Sequence, residues 1–163
     1  MTLFEPRAIL TVLLRHKVEF VLIGGYAAEL YGATRATIDV DACPATDRAN
    51  LQRLTKALRA LHAGIRIDGE DEGVPFDTSP EALAGMSVLN LRTDFGDLDL
   101  TFSPAGTSGF TDLSRNAQDR PLGRLTIRVA SLDDVIRSKR AAGRAKDLDA
   151  LPELLRLARD TSR

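Results

Sequence analysis

The sequence predicts an α+β fold: a mixed, twisted sheet flanked by helices, with further helices at its C-terminal end. Three observations predict it. An apolar strand runs into Gly24-Gly25 and a short helix. A second strand then carries Asp39-Val40-Asp41. A later hairpin, whose second strand holds Gly96-Asp97-Leu98-Asp99-Leu100, is followed by another strand and by helices to the end of the chain.

The elements follow in order. Pro6 suits the first turn of a helix, and Ile9, Leu10, Leu13 and Leu14 give that helix an apolar face. Val18 to Ile23 reads as a buried strand. The helix after the glycines runs about seven residues and stops at Gly32, a left-handed C-cap. Thr37 to Ala42 is the acidic strand, and Pro44 ends it. Thr46 reads as the N-cap of a helix with Leu51, Leu54, Leu58 and Leu61 at helical spacing. Residues 64 to 86 are acidic and broken by Gly69, Gly73, Pro75 and Pro80, as in a solvated loop. Ser87 to Thr93 and Asp97 to Phe102 form a hairpin around Asp94-Phe95-Gly96. Thr107 to Gln118 reads as a short helix, and Arg124 to Val129 as a strand. Ser131 starts a helix, with Asp134 placed close to a capping box. Lys146 to Arg159 is helical, and Pro152 should bend that helix or mark its true start.

The chain has 163 residues, 44% of them apolar, which suits one domain: a sheet core over about 1–130 and C-terminal helices over about 131–163. A net charge of −1 supplies no global field for nucleic acid. The single Cys43 excludes an internal disulfide, fits a reducing cytoplasm and reads as packing filler. No apolar run is long enough to span a membrane and no signal peptide opens the chain, so a cytoplasmic protein without a membrane partner is expected. His16 and His62 each end a helix, where an imidazole meets the negative end of the dipole. No Cys/His cluster suggests zinc.

The acidic strand carries the chemistry. Side chains alternate along a strand, so Asp39 and Asp41 share one face while Ile38 and Val40 take the other. Two carboxylates on one face repel unless a cation lies between them, and a divalent metal with oxygen ligands is the usual solution. The order of a Gly-Gly turn, an Asp-x-Asp strand separated from it by thirteen residues, and a further carboxylate on a neighbouring strand resembles the polymerase-beta-like nucleotidyltransferase superfamily. That resemblance implies transfer of a nucleotide from an NTP, with Asp39 and Asp41 bridging two Mg2+ ions (Mn2+ being the substitute) about 3.5–4 Å apart. A third carboxylate holds or deprotonates the attacking hydroxyl. Strand parity leaves Asp97 and Asp99 equivalent; the family pattern of an acid between aliphatics selects Asp99, flanked by Leu98 and Leu100. Gly24 and Gly25 let backbone approach a phosphate closely. Arg35, just ahead of the acidic strand, and Thr37, which opens it, join them as nucleotide-binding residues.

The stretch S-K-R-A-A-G-R-A-K-D-L-D-A-L, from Ser138 to Leu151, is similar to the closing motif of one branch of that superfamily, the AbiEii/MenT-type toxins. By that resemblance Lys139 contacts the triphosphate and Asp147 supports the site. Ala150 stands where the branch often repeats an acid, which leaves Asp149 without a role. The implied biology is a toxin–antitoxin system whose toxin adds nucleotides, often pyrimidines, to the 3′ end of tRNA and blocks aminoacylation, with a cognate antitoxin as protein partner. From Arg137 to Arg163 there are eight Lys or Arg against four Asp or Glu, and Arg48, Arg53, Lys56 and Arg59 make a second basic run that would flank the site and track a phosphate backbone. Two other readings stand beside the toxin: an aminoglycoside- or lincosamide-type antibiotic nucleotidyltransferase with an acidic pocket for a cationic drug, and a non-catalytic, antitoxin-like binding protein on the same fold.

Overall fold

The computed structural model describes residues 3–162. Its elements are α1 (Pro6–Arg15), β1 (Phe20–Ile23), α2 (Gly24–Leu30), β2 (Asp39–Pro44), α3 (Arg48–Ala60), β3 (Gly64–Ile65), α4 (Pro80–Ala84), β4 (Val88–Thr93), β5 (Gly96–Thr101), α5 (Phe110–Ser114), β6 (Gln118–Leu122), β7 (Leu125–Val129), α6 (Leu132–Ala142) and α7 (Ala145–Thr161). The strands form one mixed sheet in the order β3-β4-β5-β2-β1-β7-β6. β2 is near its centre, antiparallel to β1 and parallel to β5.

Period-two alternation sorts the two faces of β2 and β5. Val40, Ala42, Leu98 and Leu100 are wholly buried. α1 packs against that sheet through β2, β5 and β7 and against α3, whose Leu51, Leu54 and Leu58 join the same core. Each large aliphatic side chain so buried stabilises the fold by roughly 1.5–3 kcal/mol. The aspartates occupy the opposite face. There α5 lies against β1, α2 contacts β2 and α6, and α6 packs on α7.

Several local expectations are corrected. β2 begins at Asp39, so Ile38 lies outside the strand and is 76% exposed rather than turned to the core. Asp47, not Thr46, caps α3, accepting from the Asn50 amide at 3.0 Å. The α2 helix starts at the glycines themselves. The acidic segment is less irregular than its composition implies, containing β3 and α4, and Ile65 and Val74 exchange backbone hydrogen bonds of 2.8 Å. The helix expected over Thr107 to Gln118 shrinks to α5, and Gln118 opens β6, an edge strand paired antiparallel with β7. His62, just past the end of α3, adopts φ 51° and pairs with Asp94 at 2.5 Å, a partner its helix-end position does not signal. Pro152 lies inside an uninterrupted α7. The carbonyl it leaves unpaired belongs to Leu148, a half-exposed residue. Among the described residues, no helix is long and apolar enough to cross a membrane.

Candidate active site

β2 and β5 run in register, Asp39 opposite Asp97 and Asp41 opposite Asp99. Three of these carboxylates converge: Asp39, Asp41 and Asp99 each place an oxygen within 4.8 Å of the others. Asp97 turns instead to two guanidinium groups, its Oδ2 3.4 Å from Arg66 Nη1 and its Oδ1 3.4 Å from Arg92 Nε. Parity along β5 makes Asp97 and Asp99 equivalent; Arg92, which pairs with Asp97, separates them, while Arg66 reaches both.

β1 delivers the glycines to this cluster, with Ile23 opposite Asp41 in register. Gly24 has φ +71°, and a Cβ there would stand 2.1 Å from Asp41 Oδ2. Only glycine meets both demands. Its nearest task is therefore to leave room for the Asp41 carboxylate, ahead of any approach by phosphate. Thr37 Oγ1 donates to Asp39 Oδ1 at 3.0 Å, while its amide is held by Glu29 Oε1 at 2.8 Å. Thr37 thus orients a triad carboxylate.

Crowding shapes the electrostatics. Burial, then the charges of Asp39 and Asp99, push Asp41 up to about 7 against the pull of Lys139 and Lys146. Burial likewise lifts Asp99 to about 6, opposed by Arg66 and aided by Asp39. Asp99 Oδ1 is 3.0 Å from Arg66 Nη2, yet no donor is aligned to hydrogen-bond it. Three crowded carboxylates with an oxygen lacking a hydrogen bond form an all-oxygen donor set that suits a hard divalent cation.

Facing the triad is a cleft of about 980 Å³ lined by Gly24, Gly25, Arg35, Thr37, Lys139 and Asp147 as well as the three aspartates. All nine residues given a catalytic, nucleotide-binding or metal role from the sequence line it; Asp97, the alternative third carboxylate, does not. α6 and α7 form the far wall. α6 ends at Gly143, whose left-handed φ of +64° breaks the helix, so that Arg144 becomes the extended N-cap of α7. From there Arg144 Nε donates to Asp147 Oδ2 at 2.7 Å. Asp147 is almost wholly buried; burial opposes its ionisation, but the Arg144 hydrogen bond and charge hold its carboxyl below the usual range. Lys139 Nζ sits 3.6 Å from Asp147 Oδ1. Arg35 donates to the Lys146 carbonyl at 3.2 Å and is exposed at the mouth.

Sequence reading passes over four residues at or beside this cleft. Arg144 was signalled by its position three before Asp147 just after a helix-breaking glycine. Lys146 immediately precedes Asp147. Asp134 lines the cleft, buried, with Oδ1 on Arg137 and Oδ2 without a partner; only its cap position marks it. Arg66 lies in an aperiodic segment and has no sequence signal. The basic run on α3 does not line the cleft. Its leucine face turns that helix toward α1, and Arg48 is spent on Glu81 at 2.7 Å.

The seven-stranded mixed sheet with acids on β2 and β5 superposes on solved nucleotidyltransferases. The lincosamide antibiotic adenylyltransferase LnuA, solved with lincomycin bound, matches with a TM-score of 0.62 at 15% identity over 96% of this chain and 99% of its own. The chain has the nucleotidyltransferase fold. A Thermotoga maritima protein assigned as a nucleotidyltransferase matches at a TM-score of 0.57 and 15% identity, covering 95% of this chain and 96% of that one. The antibiotic-resistance factor ANT(2'')-Ia gives 0.57 at 16% identity, covering 96% and 84%. No family model matches the sequence, and no curated protein matches it.

Proposed function

We propose that this chain transfers a nucleoside monophosphate from an NTP to an acceptor hydroxyl. The observation that carries this reading is the convergence of Asp39, Asp41 and Asp99 within 4.8 Å, across a cleft from Lys139 and Lys146. The acceptor oxygen attacks the α-phosphorus in line, its bond to pyrophosphate breaks, and the hydroxyl proton passes to Asp99. Divalent cations held by the triad, Mg2+ foremost, would polarise the α-phosphate and offset the charge of the leaving group. Lys139 is placed for the triphosphate and is itself positioned by Asp147, which Arg144 fixes. Arg35 and Lys146 offer further positive charge at the mouth, and the glycine bend brings backbone amides near the phosphates.

For the acceptor, the tRNA 3′ end comes first. The toxin-like motif is the part of the chain that builds the cationic wall, with Lys139, Arg144, Lys146 and Asp147 gathered at one side of the cleft. On this reading the chain is the cytoplasmic toxin of a toxin–antitoxin pair. A small-molecule acceptor is the second reading. It is supported by LnuA, whose match covers 96% of this chain and 99% of its own, and by Asp149 and Glu153 in the cleft lining, which would suit a cationic drug. Purified protein with α-labelled NTPs, Mg2+, total tRNA and, separately, lincosamides and aminoglycosides decides among them. Label on tRNA supports the toxin and label on drug the second reading. Absence of label from every acceptor contradicts nucleotide transfer and leaves a binding protein. Electrostatic tRNA binding should weaken steeply from low to moderate salt; a flat response contradicts it.

A further inference from the structure

We infer that Arg66 is a built-in counter-cation of the triad: its guanidinium, anchored on Asp97, pairs with one side of Asp99, holding that carboxylate in place while opposing divalent-cation binding. The inference rests on the reading of Asp39, Asp41 and Asp99 as a cation site.

Arg66 is delivered by a constrained segment rather than by a loose loop. Its amide donates to the Asn90 carbonyl at 2.9 Å. Just before it, Ile65 and Val74 close a backbone pair, and Gly64 and Gly73 touch so closely that a Cβ on Gly64 would lie 2.6 Å from the Gly73 carbonyl carbon. Arg92 clamps the same segment through the Glu70 carbonyl and pairs with Asp97 from the other side. The guanidinium then spans two carboxylates, with Nη1 3.4 Å from Asp97 Oδ2 and Nη2 3.0 Å from Asp99 Oδ1. Only a fifth of the Arg66 side chain is exposed, and Nη1 is buried without an aligned acceptor.

Three carboxylates beside one fixed guanidinium are a weaker cation trap than three alone. At the few-ångström separations here, a unit positive charge in partly buried surroundings repels a divalent ion strongly. The guanidinium, reaching Asp97 with one nitrogen and Asp99 with the other, draws the Asp99 carboxylate toward itself by charge, a two-point span that a single ammonium does not reproduce. Arg66 therefore trades cation affinity for a fixed Asp99, which makes it a positioning residue.

The test is Mn2+ binding, followed through loss of the free-ion electron paramagnetic resonance signal, together with turnover at saturating Mn2+. Arg66→Gln should bind Mn2+ about tenfold more tightly than the wild type, yet turn over more slowly. Arg66→Met, which keeps the stem without the charge, should do the same and serves where Arg66→Gln does not fold. Arg66→Lys should keep Mn2+ affinity within about threefold of the wild type, because the charge remains, but should not restore turnover, because the fork is gone. Equal or weaker Mn2+ binding by the Gln and Met variants overturns the counter-charge. Full turnover by Arg66→Lys overturns the anchoring. A wild type that binds no Mn2+ overturns the triad reading and this inference with it.

Discussion

The two faces of the β2–β5 strand pair, built from alternating residues of the same ten-ångström stretch of sheet, do opposite work. On one face Val40, Ala42, Leu98 and Leu100 are fully buried and hold the fold. On the other, Asp39, Asp41 and Asp99 are pressed together, and burial and mutual repulsion lift two of them well above the ordinary carboxylate range. A one-residue change in register would exchange the faces. The apolar face therefore fixes where the acidic face points, and the acidic face draws on the stability that the apolar one supplies.

Substitutions on each face can break that contrast. The largest effect is expected for Asp41→Asn, which should lower nucleotide transfer at least about a thousandfold while the protein stays folded; turnover with labelled NTP measures it. Next comes pH. The folded state binds protons more tightly than the unfolded chain at Asp41 and Asp99, so without divalent cation these groups erode stability as pH climbs from 3.8 to about 7. The part due to Asp41 reaches up to about 4 kcal/mol. Chemical denaturation of wild type against Asp41→Asn across that range should show the wild type losing ground as pH rises; parallel curves contradict the shift. Leu98→Ala, on the apolar face, should cost about 3 kcal/mol through lost burial and a residual cavity, with transfer retained by the molecules that remain folded. Smallest is Asp47→Ala at the start of α3, which should cost about 1 kcal/mol and leave transfer unchanged, since α3 contributes nothing to the cleft lining; thermal unfolding checks both stability values.

The acidic face was readable because period two is rigid: wherever β2 forms, Asp39 and Asp41 must share a side. The same rule could not choose between Asp97 and Asp99, whose parity is identical; what divides them is Arg92, which pairs with Asp97 across the hairpin, while Arg66, from a distant segment, reaches both. Arg66 stayed invisible because a glycine- and proline-broken segment has no period from which to place a side chain. Gly24 shows its flexibility in the sequence but not its neighbour Asp41, since a turn glycine looks alike whether it makes way for phosphate, for a side chain or for both. β6 was missed because Gln118-Asp119-Arg120-Pro121-Leu122 shows no apolar alternation and includes a proline, a combination tolerated at a sheet edge. The α6–α7 junction is the converse case: Gly143 and the spacing of Arg144 to Asp147 were in plain view, but only the break in the helix gives that spacing its meaning.

The most direct test is thermal unfolding of wild type and Asp41→Asn above pH 7, with and without millimolar Mg2+. The variant should be the more stable protein in chelator, Mg2+ should raise the melting temperature of the wild type, and the variant should respond little. A variant less stable than the wild type in chelator, or an equal response of both to Mg2+, would contradict the claim that these crowded carboxylates form a cation site maintained at the expense of the fold.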